Sequence, residues 1–93
     1  MRGTMDGSRI SMANKFIFDE LTALLRDVFD DDTLLATPQL TAHQVRGWDS
    51  LGHIRLILEI ERVFRVRFSA AEISSLKNVG ELAELIATKT RSA

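Results

Sequence analysis

The sequence predicts an all-α fold, a small four-helix bundle with a long first loop and a short third helix. Three observations predict it. Apolar residues recur at helical spacing in three separate segments. Cap-forming residues (Asp49, Ser69 and Asn78) stand where three of the helices should begin. Strand-type alternation is confined to the brief run Phe64-Arg65-Val66-Arg67-Phe68.

The first helix is expected over Lys15 to Phe29. Phe18, Leu21, Leu24, Leu25, Val28 and Phe29 form its apolar stripe, and Asn14 is its expected N-cap. Asp30-Asp31-Asp32 should end it, because three acids crowd the negative end of the helix dipole. A loop then runs to about Trp48 through the chain's single proline, Pro38. Connections of this length are uncommon unless they are functional or packed down. Leu34, Leu35, Leu40 and Val45 are its candidate anchors, with a helical turn over 41–45.

The second helix should run from Ser50 to Phe64 with Asp49 as its cap. Leu51, Ile54, Leu58 and the set Ile57, Ile60, Val63 and Phe64 give it a broad apolar face. Arg55, Glu59 and Arg62 lie on the other side, spaced for local ion pairs. Val66 and Phe68 should then turn inward. Ser69-Ala70-Ala71-Glu72 has the form of a capping box and opens a third helix of about two turns, to Leu76. Asn78-Val79-Gly80-Glu81 repeats the cap pattern ahead of Val79, Leu82, Ala83, Leu85 and Ile86. From Thr88 the chain reads as a polar tail. The resulting division is a disordered arm or cloning remnant over 1–12, a folded domain over 13–89 and a tail over 90–93.

The chain has 93 residues, a net charge of −1 and no cysteine. The cysteine count excludes a disulfide scaffold, a thiolate metal site and a cysteine nucleophile. The charge argues against nucleic-acid binding through bulk electrostatics. No apolar run is long enough for a membrane span, and no secretory signal precedes the domain. A cytoplasmic monomer is the expectation. The charge is unevenly placed. The first helix and its end carry Asp19, Glu20, Asp27, Asp30, Asp31 and Asp32 against Lys15 and Arg26, whereas the second helix and its exit carry Arg55, Arg62, Arg65 and Arg67 against Asp49, Glu59 and Glu61.

The residues with chemical potential cluster in Gly47-Trp48-Asp49-Ser50-Leu51-Gly52-His53-Ile54, where the long loop becomes the second helix. A hydrolase would need His53 bonded to Ser50 and a third group orienting the imidazole. Asp49 suits a cap better than that role, and the G-x-S-x-G elbow is missed. Asp30-Asp31-Asp32 lack the spacing and glycine of a calcium loop, and His43 and His53 do not complete a metal set. A DNA-reading helix would need a denser basic face than Arg55, Arg62, Arg65 and Arg67 provide. No metal site and no catalytic residue are therefore expected. A helix N-terminus, by contrast, favours an anion through its unpaired N–H groups and its dipole, so Ser50 is well placed to carry a phosphate. Taken alone, Asp-Ser-Leu also reads as a cap, a first helical residue and a packing leucine.

The whole arrangement around that tripeptide resembles the acyl carrier protein family, the phosphopantetheine-attachment domains, over about residues 16–87. The resemblance centres on Asp49-Ser50-Leu51 with Ile54, Leu56 and Ile57. It continues through Glu61, Phe64 and Phe68, then Ser69-Ala70-Ala71-Glu72-Ile73, and ends in Leu76-Lys77-Asn78-Val79.

The resemblance implies a non-catalytic carrier. Ser50 would be esterified with 4'-phosphopantetheine by a phosphopantetheinyl transferase, and Asp49 would cap the helix and present Ser50. The cofactor's thiol would hold an acyl group for acyl-loading, ketosynthase-type or acyltransferase enzymes. Leu51, His53, Ile54 and Arg55 form the expected partner-facing or arm-facing surface. His53 is expected at the surface beside Ser50, Ile54 is the more core-like of the two apolar residues, and Gly52 keeps a neighbour of Ser50 small.

The fatty-acid members carry an acidic second helix, yet here Arg55 stands where they usually carry an acid. The expected role is a stand-alone carrier of a fatty-acid-like or specialised, polyketide-type pathway, and that departure argues against the housekeeping fatty-acid carrier and toward a specialised one, polyketide-like, aminoacyl or hydroxyacyl-modifying. The alternatives are an aminoacyl or peptidyl carrier, or an unmodified helical interaction domain.

Overall fold

The computed structural model describes the backbone of residues 2–92 and the side chains of 15–91. Four α-helices follow in order: α1 (Arg2–Val28), α2 (Ser50–Phe64), α3 (Ala70–Ser75) and α4 (Val79–Ser92), with a 3₁₀ turn at Ala42–Gln44 in the long loop. Helix α1 packs against both α2 and α4. Their facing stripes close a core in which Leu21, Leu25, Leu56, Ile60, Val79 and Ile86 are fully buried. No helix among the described residues is long and apolar enough to cross a membrane.

The helices extend further than the periodicity implies. Helix α1 runs back to Arg2, through the segment expected as an arm, so Asn14 lies within it rather than capping it. Extending a formed helix requires no new nucleation, and residues 2–13 contain no proline. Likewise, the polar residues from Thr88 continue α4 to Ser92. Lys89 fastens this last turn, with Nζ 3.0 Å from Glu72 Oε1 and 5.6 Å from the centre of the Phe68 ring.

Two helices end by a backbone device that no glycine announces. Asp30 (φ 52°) and Arg65 (φ 58°) both adopt the left-handed conformation. The next N–H in each case reaches back five residues, Asp31 to the Arg26 carbonyl (3.1 Å) and Val66 to the Glu61 carbonyl (3.2 Å). The three acids therefore do not end α1 by charge alone. Asp31 instead accepts the Thr33 hydroxyl (2.6 Å) and backbone N–H (3.0 Å), and these bonds hold its carboxyl below the ordinary range.

The expected capping box forms at the start of α3. Ser69 Oγ accepts the Glu72 N–H (3.1 Å), and Glu72 Oε1 accepts the Ser69 N–H (2.9 Å). That backbone bond, with Lys89 second, lowers the Glu72 pKa. Asn78 Oδ1 accepts the Glu81 N–H at 2.8 Å.

The long loop is a strap. Arg26 Nε donates to the Leu34 carbonyl (2.7 Å), and the Ala36 N–H donates to Thr22 Oγ1 (3.0 Å), tying the loop to α1. The carbonyls of Leu40 and Pro38 accept the N–H groups of Val79 (2.9 Å) and Gly80 (3.0 Å), which α4 cannot satisfy internally. Val45 is buried, and Leu34 and Leu40 are partly buried against the core. Leu35 is not an anchor: it is 60% exposed, while its neighbour Ala36 is buried. The Ala36 N–H bond to Thr22 holds this residue, not Leu35, against α1.

Candidate functional site

Ser50 is the first residue of α2 and is exposed. Asp49 is its cap as expected: its backbone is extended (φ −98°, ψ −165°), Oδ1 accepts the Gly52 N–H at 2.9 Å, and its carbonyl accepts the His53 N–H at 2.8 Å. The N–H groups of Ser50 and Leu51 have no acceptor within the helix, so the dipole's positive end lies open beside the Ser50 hydroxyl.

The loop arrives at this cap through Gly47, whose φ of 89° suits a residue without Cβ. Gly52, one turn into α2, is buried against it. A Cβ at Gly52 would overlap the Gly47 carbonyl oxygen and lie 2.8 Å from the Phe29 ring. Gly52 is therefore required by the closeness of loop and helix, a stronger demand than merely leaving space near Ser50.

Trp48 fills the next layer. Its ring stacks on Phe29 (centroids 5.4 Å apart, 24° between planes) and on His53 (6.1 Å, 21°). Trp48 Nε1–H donates to His53 Nδ1 at 3.0 Å, and His53 Nε2 lies 3.0 Å from the Ile73 carbonyl oxygen. An indole N–H can only donate and a carbonyl can only accept. The network thus assigns His53 as the neutral imidazole with its proton on Nε2.

His53 is accordingly not a free surface group. Both ring nitrogens are engaged within the protein, and Asp49 is bonded to Gly52. Asp49, Ser50 and His53 do not form the Ser–His–acid relay of a hydrolase.

The sides of α2 divide differently from the periodic reading. Gly52, Leu56, Ile57 and Ile60 are buried, whereas Leu51 (70% exposed), Ile54 (45%) and Leu58 (58%) form an apolar stripe on the solvent side. Ile54 is not a core residue. Arg55 is exposed, and its guanidinium donates to the Val28 carbonyl (3.0 Å), complementing the C-terminal dipole of α1. Glu59 pairs with Arg62 (2.6 Å). A cleft of about 330 Å³ opens beside Ser50, with Trp48, His53, Ile73, Leu76 and Leu82 in its walls. Neither the cleft nor the part of α3 in it was singled out from sequence, because Ile73 and Leu82 are remote from Ser50 along the chain.

The family described as "phosphopantetheine attachment site" matches residues 19–86. Among solved structures, the solution NMR structure of a holo acyl carrier protein from Geobacter metallireducens is similar, with 40% identity and a TM-score of 0.77, covering 81% of this chain and 86% of that one. No curated protein matches the chain.

Proposed function

Because the chain belongs to the phosphopantetheine-attachment family of non-catalytic carrier domains, which bear 4'-phosphopantetheine covalently, we propose that Ser50 is its attachment residue. The observation that carries this reading is an exposed serine hydroxyl at the first position of a 15-residue helix, inside the family match. The residues present fit the group. The hydroxyl is open to a transferase, the helix N-terminus favours a phosphodiester anion, and an elongated arm has a cleft beside it.

Attachment forms a bond between Ser50 Oγ and the pantetheine-side phosphorus of coenzyme A. It breaks the pyrophosphate linkage, releases adenosine 3',5'-bisphosphate and passes the hydroxyl proton to a base of the transferase. Once in place, the group supplies a thiol that holds an acyl cargo as a thioester. Asp49 holds the first turn of α2 and thereby presents the hydroxyl.

The carrier domain over 13–89 serves a phosphopantetheinyl transferase and acyl-handling enzymes. We read it as a cytoplasmic, monomeric carrier of a fatty-acid-like or polyketide-type pathway. The apolar stripe Leu51–Ile54–Leu58 with Arg55 at its margin is the surface offered to those enzymes. An arginine at that margin selects partners by charge, which supports a specialised pathway over the housekeeping one.

The test is intact-mass analysis after incubation with coenzyme A, magnesium and a broad-specificity transferase. The protein should gain one phosphopantetheinyl group and Ser50→Ala none. No gain with several transferases, or a gain that persists in Ser50→Ala, would refute the assignment. Loading assays with acyl and aminoacyl donors then identify the class of cargo.

A further inference from the structure

We propose that His53 is a positioning residue for Ser50, acting as a staple across the start of α2 that is tethered to α3. The inference rests on the Ser50 reading above and deepens it. With Asp49 as the cap, Trp48 and His53 occupy the positions immediately before the cap and four residues after it. A hydrophobic contact between these two positions sets the angle at which a chain enters a helix. Here the contact is a ring stack with a directional hydrogen bond, Trp48 Nε1–H to His53 Nδ1. Phe29 stacks on the same indole ring, with centroids 5.4 Å apart.

An apolar residue at position 53 would be enough for an ordinary staple. His53 has a second bond, and it reaches outside its own helix, 20 positions along the chain, to the Ile73 carbonyl. That carbonyl needs such a partner. Helix α3 has six residues and ends at Ser75, so Ile73 has no N–H within the helix to pair with. The Lys77 N–H, which a longer helix would supply, is bonded to Glu81 Oε1 instead (2.9 Å).

His53 therefore satisfies an orphaned acceptor in α3 with one nitrogen and fixes the loop-to-α2 junction with the other. Ser50 lies between the two stapled positions and is exposed, so its hydroxyl is held through its neighbours. The placement of α3 becomes part of how Ser50 meets the transferase.

His53→Phe keeps the stack and removes both bonds, while Trp48→Phe keeps the stack and removes one. Trp48→Phe should lower kcat of transferase modification about fivefold, the effect of one lost hydrogen bond on the reacting geometry, and His53→Phe, which loses two, by at least that factor. KM for the carrier should be unchanged, because the docking stripe is untouched. The double variant should be no slower than the slower single. Ile17→Val, which loosens the α1 core far from this end, should lower Tm without changing kcat. Nitrogen-15 NMR of the wild-type imidazole should show the Nε2–H tautomer.

Unchanged kcat in both variants, a change confined to KM, an equal loss in Ile17→Val, or the Nδ1–H tautomer would each overturn the proposal. If His53→Phe does not fold, Trp48→Phe and the tautomer decide it. A wild-type protein that gains no mass overturns the Ser50 reading and this inference together, whereas a modified wild type with unimpaired variants overturns this inference alone.

Discussion

Replacing Gly52 with alanine sets two well-measured effects against each other. Inside a helix, alanine is favoured over glycine by up to about 1 kcal/mol, so propensity alone predicts a more stable protein. The structure predicts the opposite sign. The new methyl group would overlap the Gly47 carbonyl oxygen and sit 2.8 Å from the Phe29 ring. Overpacking of this kind costs about 1–3 kcal/mol, toward the upper end when the obstructing atom is backbone and cannot rotate away. Gly47 has little freedom to retreat, since its φ of 89° is already committed to the turn that delivers Trp48.

The net expectation is a loss of about 1–2 kcal/mol, with the propensity gain subtracted. For a domain of this size that lowers Tm by roughly 4–16 °C. Thermal unfolding followed by circular dichroism measures it directly. A Tm equal to or above that of the wild type would show instead that loop and helix separate without cost.

Acid stability offers a second check through Glu72, whose pKa is lowered by the Ser69 N–H and then by Lys89. A carboxylate with a depressed folded-state pKa stabilises the fold above its unfolded pKa, and that contribution is lost as pH falls through the folded value. Tm of the wild type should therefore decline on acidification below the ordinary carboxylate range. Glu72→Gln should show a shallower decline between neutral pH and about pH 3, and parallel curves would count against the link. At the other end of the bundle, Arg55→Ala removes a cation from the C-terminus of α1 together with its bond to the Val28 carbonyl. It should cost about 0.5–1 kcal/mol, seen as a Tm several degrees lower, with Arg55→Lys intermediate. An unchanged Tm in Arg55→Ala would leave that contact without energetic weight.

The signals that were legible are the short-range ones. Asp49 capping α2, the Ser69–Glu72 box, Asn78 ahead of α4 and the limits of α2 all depend on residues within about four positions of one another, and such contacts form wherever the chain is locally helical. The backbone device that closes α1 and α2 was less legible than where α2 stops, because Asp30 and Arg65 take a left-handed conformation that glycine normally marks. Leu35 was expected to anchor the loop, but it is exposed, and its neighbour Ala36, bonded through its N–H to Thr22 on α1, is buried instead.

An all-α fold, the position of each helix start after the first, and a serine at the opening of α2 were all legible in the sequence. Each of these follows from local spacing and capping. Which side of α2 is buried depends on tertiary packing, because that helix carries apolar residues on two sides, and packing on α1 leaves Leu51, Ile54 and Leu58 outside. Tertiary packing also decided the roles of Gly52 and His53. The first answers to a carbonyl in the preceding loop, and the second to a carbonyl in α3 that its own short helix leaves unpaired. Contacts of that kind depend on where distant segments are brought together, which spacing along the chain does not encode.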